Sequence, residues 1–474
     1  MRGTQASMIR HFALSAVLLA SPLAADDHTD TTDDPAADVS QERLRADIDT
    51  LVGFGTRHTL SEQDNPERGI GAAVDWGLDT FRGISAECDG CLEVVAPEKM
   101  VSGRRIPEPV RLRNAVAIQR GTERPNEVVI VQGHIDSRAS DALDWQSDAP
   151  GANDDGSGTV LVIEAARMLS QRQYPSTIIY ALLSGEEQGL YGGQLMAEWV
   201  EAQGFTVKAV LNNDIVGGSC GSDGYCDDKS VRVFSEGLRA DSTEELRAAQ
   251  RRFGGENDSP SRNLSRWIDG LAEDYEGGID VRQIWRTDRM GRGGDQIPFL
   301  DAGLPAVRIT VAVEDYEHQH QDLRVEEGVT YGDTPDEMDF AYLAKVTQLN
   351  IRALHGLAMA PMPPKVTADG SVKTYTDIAW TPVENGELYN LYQRRSDEAN
   401  WPEEPANSLE LLSAHGTDED GTFHSIRTEP AMQLEGVRAD DWIFGLSACD
   451  GDYCSPVASA VPGGAFEPVA KEAE

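Results

Sequence analysis

No stretch of this 474-residue sequence is apolar for long enough to cross a bilayer. The best candidate, Phe12–Ala20, is far too short for a hydrocarbon core of ~30 Å, which excludes a membrane span. Basic residues are scarce, with 41 Lys and Arg against 81 Asp and Glu and a formal charge of −40. Such a surface repels nucleic acid and anionic lipid. The carboxylates are spread along the chain, which fits solubility in a salty medium better than one acidic patch for a basic partner. Cysteine is sparse: six residues fall in three close pairs, Cys88/Cys91, Cys220/Cys226 and Cys449/Cys454. The CxxC at Cys88–Cys91 has no second CxxC or close His pair beside it, which argues against a structural zinc site. In an exported chain the three pairs read as local disulfides. An internal repeat and a long low-complexity tract are also missing.

What is present begins with an export signal. Arg2 and Arg10 precede the short apolar run, and small residues near Ala24 and Ala25 offer a cleavage site, so residues 1–25 read as a signal peptide and the mature protein as periplasmic or extracellular. Residues 26–39 are acidic and poor in apolar groups, and are expected to be a disordered leader. A catalytic-sized unit then runs from 40 to 362. Helical periodicity at Arg43–Leu51, Ala72–Phe81, Val160–Leu169, Leu190–Val200 and Phe340–Met359 is interleaved with apolar strands at Asn114–Gln119, Val128–Val131, Ile178–Leu183, Lys208–Leu211 and Ala306–Val311. That alternation predicts an α/β fold with a mostly parallel central sheet flanked by helices. After Pro361–Pro364 the helical period disappears. Short strand-like runs at Ile378–Trp380, Tyr389–Tyr392 and Trp442–Ala448 predict an all-β sandwich over 365–464, followed by a tail at 465–474. The placing of Trp380, Tyr389 and Cys449 resembles a fibronectin type III domain.

Among nine histidines, His134, His318 and His320 lie in contexts that suggest chemistry. His134 closely follows the strand Val128–Val131 in GHIDS, Glu186 and Glu187 follow Ile178–Leu183 in SGEEQGL, and Asp214 follows Lys208–Leu211 in NNDIVG. A parallel sheet gathers such residues at the carboxyl ends of its strands. Asp154 arrives from the glycine-rich turn GANDDGSG. Singly, each has a plain structural explanation: Asp154 or Asp155 as a helix cap, the glutamates as loop charges, His134 as a ring satisfied by a carbonyl. Together, a His, two Asp and a Glu on one edge repel unless cations neutralise them, and divalent metal is the simplest remedy.

The ordered set GHIDS, GANDDGSG, SGEEQGL and NNDIVG resembles metallopeptidase family 28, the secreted bacterial leucyl-type aminopeptidases with two zinc ions, over roughly residues 40–360. The resemblance implies a zinc exopeptidase fold and assigns roles. His134, Asp154, Glu187 and Asp214 would bind zinc, with Asp154 bridging two ions; Asp136 would orient the His134 imidazole, and Glu186 would be the general base. A cis peptide between Asp154 and Asp155 is implied too. The last ligand departs from the family's spacing. Here the text is Tyr316-Glu317-His318-Gln319-His320-Gln321-Asp322, and the four-residue interval to Asp322 selects His318, leaving His320 to support a ligand or touch substrate. The extra residue puts an oxyanion role for Tyr316 in doubt. Asp295, in GDQIPF, is given a supporting role. The loop Cys220–Cys226, shortly after Asp214, is expected to shape the entrance.

The implied activity is removal of N-terminal residues from peptides with a free N-terminus, through a zinc-activated water. Carboxypeptidase, dipeptidase and glutaminyl cyclase chemistries share the scaffold. A non-catalytic receptor or adhesion protein is the alternative outside enzymes. The partner of the C-terminal unit is open.

Overall fold

The computed structural model describes residues 34–275, 277–410, 415–417, 423–425 and 430–469; the signal-peptide assignment at 1–25 lies outside them. An eight-stranded sheet organises the first three-quarters of the fold, in the order Leu92–Val95, Ala115–Gln119, Ser176–Leu183, Arg124–His134, Thr206–Asn213, Ala306–Val311, Ser230–Phe234 and Asp280–Ile284. The four consecutive strands Ser176–Leu183, Arg124–His134, Thr206–Asn213 and Ala306–Val311 are mutually parallel. The first two pairings and that between Ala306–Val311 and Ser230–Phe234 are antiparallel. The sheet is therefore mixed, with its parallel block at the centre, where all four carboxyl ends share one edge.

Burial explains why those strands read as continuous apolar runs. Val129, Val131, Tyr180 and Leu211 point into one core, with the helices Gln41–Val52, Gly69–Glu87, Gly156–Leu169 and Phe340–Met359 over them. Val128, Ile130, Ile179, Ala181 and Val210 point into a second core on the other face, under Tyr191–Ala202 and Ile297–Asp301. Alternate residues serve opposite faces, so both must be apolar. Side-chain caps start the helices: Ser40 accepts from Arg43 N, Asp155 from Gly158 N, and Asp339 from Ala341 N and Tyr342 N, satisfying N–H groups that have no intrahelical partner. Among the described residues no helix is long and apolar enough to cross a membrane.

The expectation of a disordered leader over 26–39 needs correction where its residues are described. Residues 34–39 are not a loose leader, because Ala36 is buried in the main core and Val39 packs against it. The apolar side chains that the preceding charged stretch lacks are what anchor this part. At the other end, Phe466 is buried, and the Arg239 guanidinium donates to the carbonyls of Ala465 and Glu467 at 2.7 and 2.9 Å.

The C-terminal strands form two sheets. Lys365–Asp369, Tyr375–Thr381 and Ala431–Glu435 make one; Asn407–Glu410, Leu388–Arg395, Trp442–Asp450 and Tyr453–Cys454 make the other, with Ala458–Ser459 also paired to Trp442–Asp450. Val366, Ile378 and Trp380 of the first share a core with Tyr389, Leu391, Phe444 and Leu446 of the second. The described residues from Pro35 onward belong to one compact unit. Trp267 donates to Cys454 O and Asn263 to Ser459 Oγ across the boundary between the helix Pro260–Glu273 and these sheets. All six cysteines pair as expected, Cys88–Cys91, Cys220–Cys226 and Cys449–Cys454.

Candidate metal centre

The carboxyl edge of the parallel block brings together His134, Asp154, Glu186, Glu187, Asp214 and His320. The strand Arg124–His134 ends on His134 itself, held from both sides. Its main-chain N–H donates to Asp155 Oδ2 at 2.9 Å, and its Nδ1 lies 3.0 Å from Asp136 O. That leaves Nε2 facing Asp154 Oδ1 at 3.2 Å and Asp214 Oδ1 at 3.9 Å. The glycine before it serves close approach rather than a turn: a Cβ on Gly133 would sit 2.6 Å from the main chain of Gly158 and 3.0 Å from Asp155 Oδ2.

Asp155 ties the site together. Besides His134 N, it accepts from Gly158 N and Ile215 N at 2.9 and 3.1 Å, so one carboxylate joins a strand end, a helix start and the residue after Asp214. The peptide between Asp154 and Asp155 is cis, as the resemblance implies. Asp136 does more than face His134: its two oxygens accept from the main-chain N–H groups of Glu186 and Glu187 at 3.2 and 3.3 Å, fixing the glutamate pair.

The structure places His320, not His318, in the cluster. His320 Nε2 lies 2.9 Å from Asp154 Oδ2 and 3.2 Å from Glu187 Oε1. His318 instead turns to Asp315, with Nδ1 2.7 Å from Oδ2, and faces Glu337 at 3.7 Å. The spacing to Asp322 misled because Asp322 serves the neighbouring loop, accepting from Ser140 Oγ at 2.6 Å and pairing with Arg324. His320 has a left-handed backbone, φ +56°, a conformation uncommon outside glycine and invisible in residue spacing. Tyr316 is 64% exposed, and its main-chain N–H donates to Ser222 Oγ. Asp295 is buried, accepts from Gly193 N at 3.2 Å and supports the helix that starts at Tyr191. Cys220 and His318 line a narrow cavity beside Asp154.

Several residues that hold the site were not evident from sequence. Asp333 accepts from the N–H groups of Asn153 and Asp154 at 2.7–2.9 Å. Arg57, fully buried, donates to Ile135 O at 2.7 Å and Gly151 O at 2.8 Å, and also to Pro150 O. Arg105, at the turn of the hairpin formed by Glu98–Gly103 and Ile106–Arg113, donates to Glu187 O at 2.6 Å. Arg308 lies 2.6 Å from Asp214 Oδ2. Prolines 107 and 109 hide that hairpin from strand patterning, and a lone Arg or Asp far along the chain carries no local signal.

Electrostatically the edge is overloaded with carboxylates. Burial alone would raise Asp154, but the His320 and His134 imidazoles outweigh it and hold the carboxyl well below its usual range. Glu187 is lowered in the same way, burial being outweighed chiefly by His320. In return, against the opposing effect of burial, Glu187 and Asp154 push His320 up to about 10. Hydrogen bonds to Asp136 and Asp154 likewise raise His134. Glu186 is raised well above its usual value, by desolvation first and by Glu187, Asp214 and Asp295 in addition, with His134 opposing.

The donor set fits divalent metal. His134, Asp154 and Asp214 form one group of ligand atoms, and Asp154, Glu187 and His320 form another, each within 4.8 Å. Buried Asp214 Oδ1 accepts no hydrogen bond among the described residues, an expensive arrangement unless a cation takes its lone pairs. Nitrogen and carboxylate donors of this kind suit zinc.

Carboxylates and imidazoles this concentrated, on the carboxyl edge of a helix-covered sheet, mark a divalent-metal protein. Residues 114–327 match the sequence profile of peptidase family M28. A probable zinc metalloprotease of Leptosphaeria maculans is 45% identical over 337 residues, 71% of this chain and 78% of the relative. One from Pyrenophora tritici-repentis is 33% identical over 91% of this chain and 97% of its own length. The chain belongs to peptidase family M28, the zinc metallopeptidases. Both relatives are fungal, so they carry the family and not its bacterial leucyl-type subset. The Legionella pneumophila LapA aminopeptidase shares the fold, with a TM-score of 0.51 at 18% identity over 75% of this chain and 80% of that one.

Proposed function

We propose that this protein is an exported aminopeptidase that uses two zinc ions to remove N-terminal residues from peptides. The observation that carries the reading is the shared carboxylate: Asp154 Oδ1 faces His134 while Oδ2 faces His320. Two ligand groups thus meet on one side chain. His134 and Asp214 would hold one ion, Glu187 and His320 the other, and Asp154 both. When bound, the ions lower the pKa of water towards ~7 and polarise the scissile carbonyl.

The chain's own residues supply the rest. Glu186, with its N–H fixed by Asp136, accepts the proton of the attacking water and delivers it to the departing amine. Burial raises its carboxyl, which makes it the stronger base that this step needs. The surplus of carboxylates favours a substrate ammonium over a substrate carboxylate at the same edge. That supports aminopeptidase over carboxypeptidase action, and the shared fold of the LapA aminopeptidase is in keeping with it. Three disulfides support export to an oxidising compartment. The C-terminal sheets, which we read as a fibronectin type III-like domain beginning after Pro361–Pro364, would stabilise the catalytic unit.

The test is hydrolysis of free and N-acetylated leucyl chromogenic amides, with zinc measured on the same sample. We expect cleavage of the free-amine substrate alone and about two zinc per chain. Glu186→Gln should keep its zinc and lose roughly 10²–10⁴-fold in kcat. Cleavage of the acetylated substrate, or a zinc content near one, would overturn the aminopeptidase or the two-ion assignment respectively.

A further inference from the structure

Arg308 is completely buried on the strand Ala306–Val311, opposite Asn212 of the adjacent parallel strand. Its guanidinium extends towards the carboxyl edge and takes hold of Asp214 twice, Nη1 lying 2.6 Å from Oδ2 and Nη2 donating to the main-chain O at 3.2 Å. Nη1 also donates to Gly293 O at 3.2 Å and lies 3.5 Å from Asp288 Oδ2. Asp288 is anchored in turn by Gln296 Nε2 at 2.6 Å. Room for this clamp depends on Gly294, where a Cβ would fall 2.6 Å from Arg308 Nη1 and 3.3 Å from Asp214 Oδ2.

The clamp separates the two oxygens of Asp214. Oδ2 is committed to the guanidinium, whereas Oδ1 accepts no hydrogen bond and faces His134 Nε2. Asp154 has no such partner; its Oδ2 meets His320 and the Gln319 amide. Glu187 is held differently, Arg105 donating to its main-chain O at 2.6 Å and Arg138 Nε lying 3.9 Å from Oε2, so the close guanidinium contact on a ligand carboxylate falls on one ligand group. From it we infer that Arg308 is a positioning residue for the metal position at His134 and Asp214: it presents a single Asp214 oxygen there and has no corresponding hold on Glu187 and His320. This rests on the two-zinc reading above.

Two effects of opposite sign follow from the same contact. A fixed cation beside Asp214 offsets its charge and so weakens its attraction for zinc, while the double hold, on Oδ2 and on the main-chain O, fixes the residue in place and strengthens binding. Partners that orient a metal ligand are worth ~10–100-fold in affinity, and the double hold makes positioning the larger of the two effects. Removing the guanidinium should therefore weaken zinc binding despite leaving the site more negative.

The experiment is chelator competition and zinc content on the full-length mature protein and on Arg308→Met and Arg308→Lys, with the melting temperature of each chelated protein recorded. Wild type releasing about two zinc ions is the control; if it does not, the two-ion reading fails and not this inference alone. We expect Arg308→Met to retain one zinc at wild-type affinity and to bind the other ~10–100-fold more weakly. Arg308→Lys keeps the charge but cannot hold the carboxylate and main-chain oxygens together, so it should show the same selective loss to a smaller degree. It also provides the measurement should the Met variant not fold. Two unchanged zinc ions in either variant, equal weakening of both, or full restoration by lysine would overturn the inference.

Discussion

Asp214 and Asp258 are both buried aspartates next to arginine, yet their surroundings differ in kind. Asp258 lies where the helix Pro260–Glu273 meets the C-terminal sheets. It accepts from Arg394, from Arg266 at 3.4 Å and from Ser459 Oγ at 3.1 Å. Arg394 and Ser459 come from the C-terminal sheets and Arg266 from the α/β part, so one carboxylate fastens the two. Burial lowers Arg266 only to about 10, leaving it charged at neutral pH. At the metal centre, by contrast, Asp214 keeps a buried oxygen without a hydrogen bond. A carboxylate surrounded by cations from its own chain is structural; one with lone pairs left over is waiting for a cation from solution.

That contrast breaks most visibly at the histidines. His320→Ala should weaken zinc binding at least ~100-fold at one position, the upper end of what even an indirect partner of a metal is worth, and abolish peptidase activity in step. His318→Ala, which removes the contacts to Asp315 and Glu337, should leave zinc content unchanged. Zinc titration of both variants checks the assignment, and equal losses would undo the distinction between them.

The next effect concerns stability. Asp258→Ala strands Arg394 and Arg266 with no anion, and removing one partner of a buried ion pair typically costs 3–5 kcal/mol. Chemical denaturation of the chelated protein should show that loss, while zinc content of the folded variant stays at the wild-type value. A loss of zinc with unchanged stability would reverse the roles given to the two aspartates.

How far the sequence carried this depends on range. The parallel block was legible because both faces are buried, so Val128–Val131 and Ile178–Leu183 read as unbroken apolar runs. His134, Asp154, Glu187 and Asp214 were legible because each sits just beyond such a run or in a glycine-rich turn. The choice between His318 and His320 was not, since it turns on a left-handed residue in a loop without periodicity. Arg308, Asp333, Arg57 and Asp258 were not either. Their partners lie roughly 80 to 200 residues away, and a single charged residue looks the same whether it faces solvent or a buried carboxylate. The anchoring of residues 34–39 was missed for a similar reason, a few apolar atoms outweighing the charge around them.

Glu236 sharpens the comparison by supplying a third way to accommodate a buried carboxyl group, with a proton. It is 6% exposed and accepts from Ala240 N at 3.1 Å. Desolvation pushes it up to about 8, with Ala240 N and Arg239 opposing and Asp241 and Asp301 adding. Because the folded pKa lies above the unfolded value of 4.5, the native state binds more protons between pH 4.5 and 8. Its stability contribution is therefore complete below that window and is lost as pH rises through it. Glu236→Gln stays neutral throughout and should flatten this part of the stability curve, with a difference from wild type of at most a few kcal/mol near pH 8. Melting temperatures measured across pH 4.5–8.5 on chelated protein keep the metal centre out of the comparison. If the two curves run parallel, Glu236 is ionised in the native state, and Arg239 serves it as Arg394 serves Asp258.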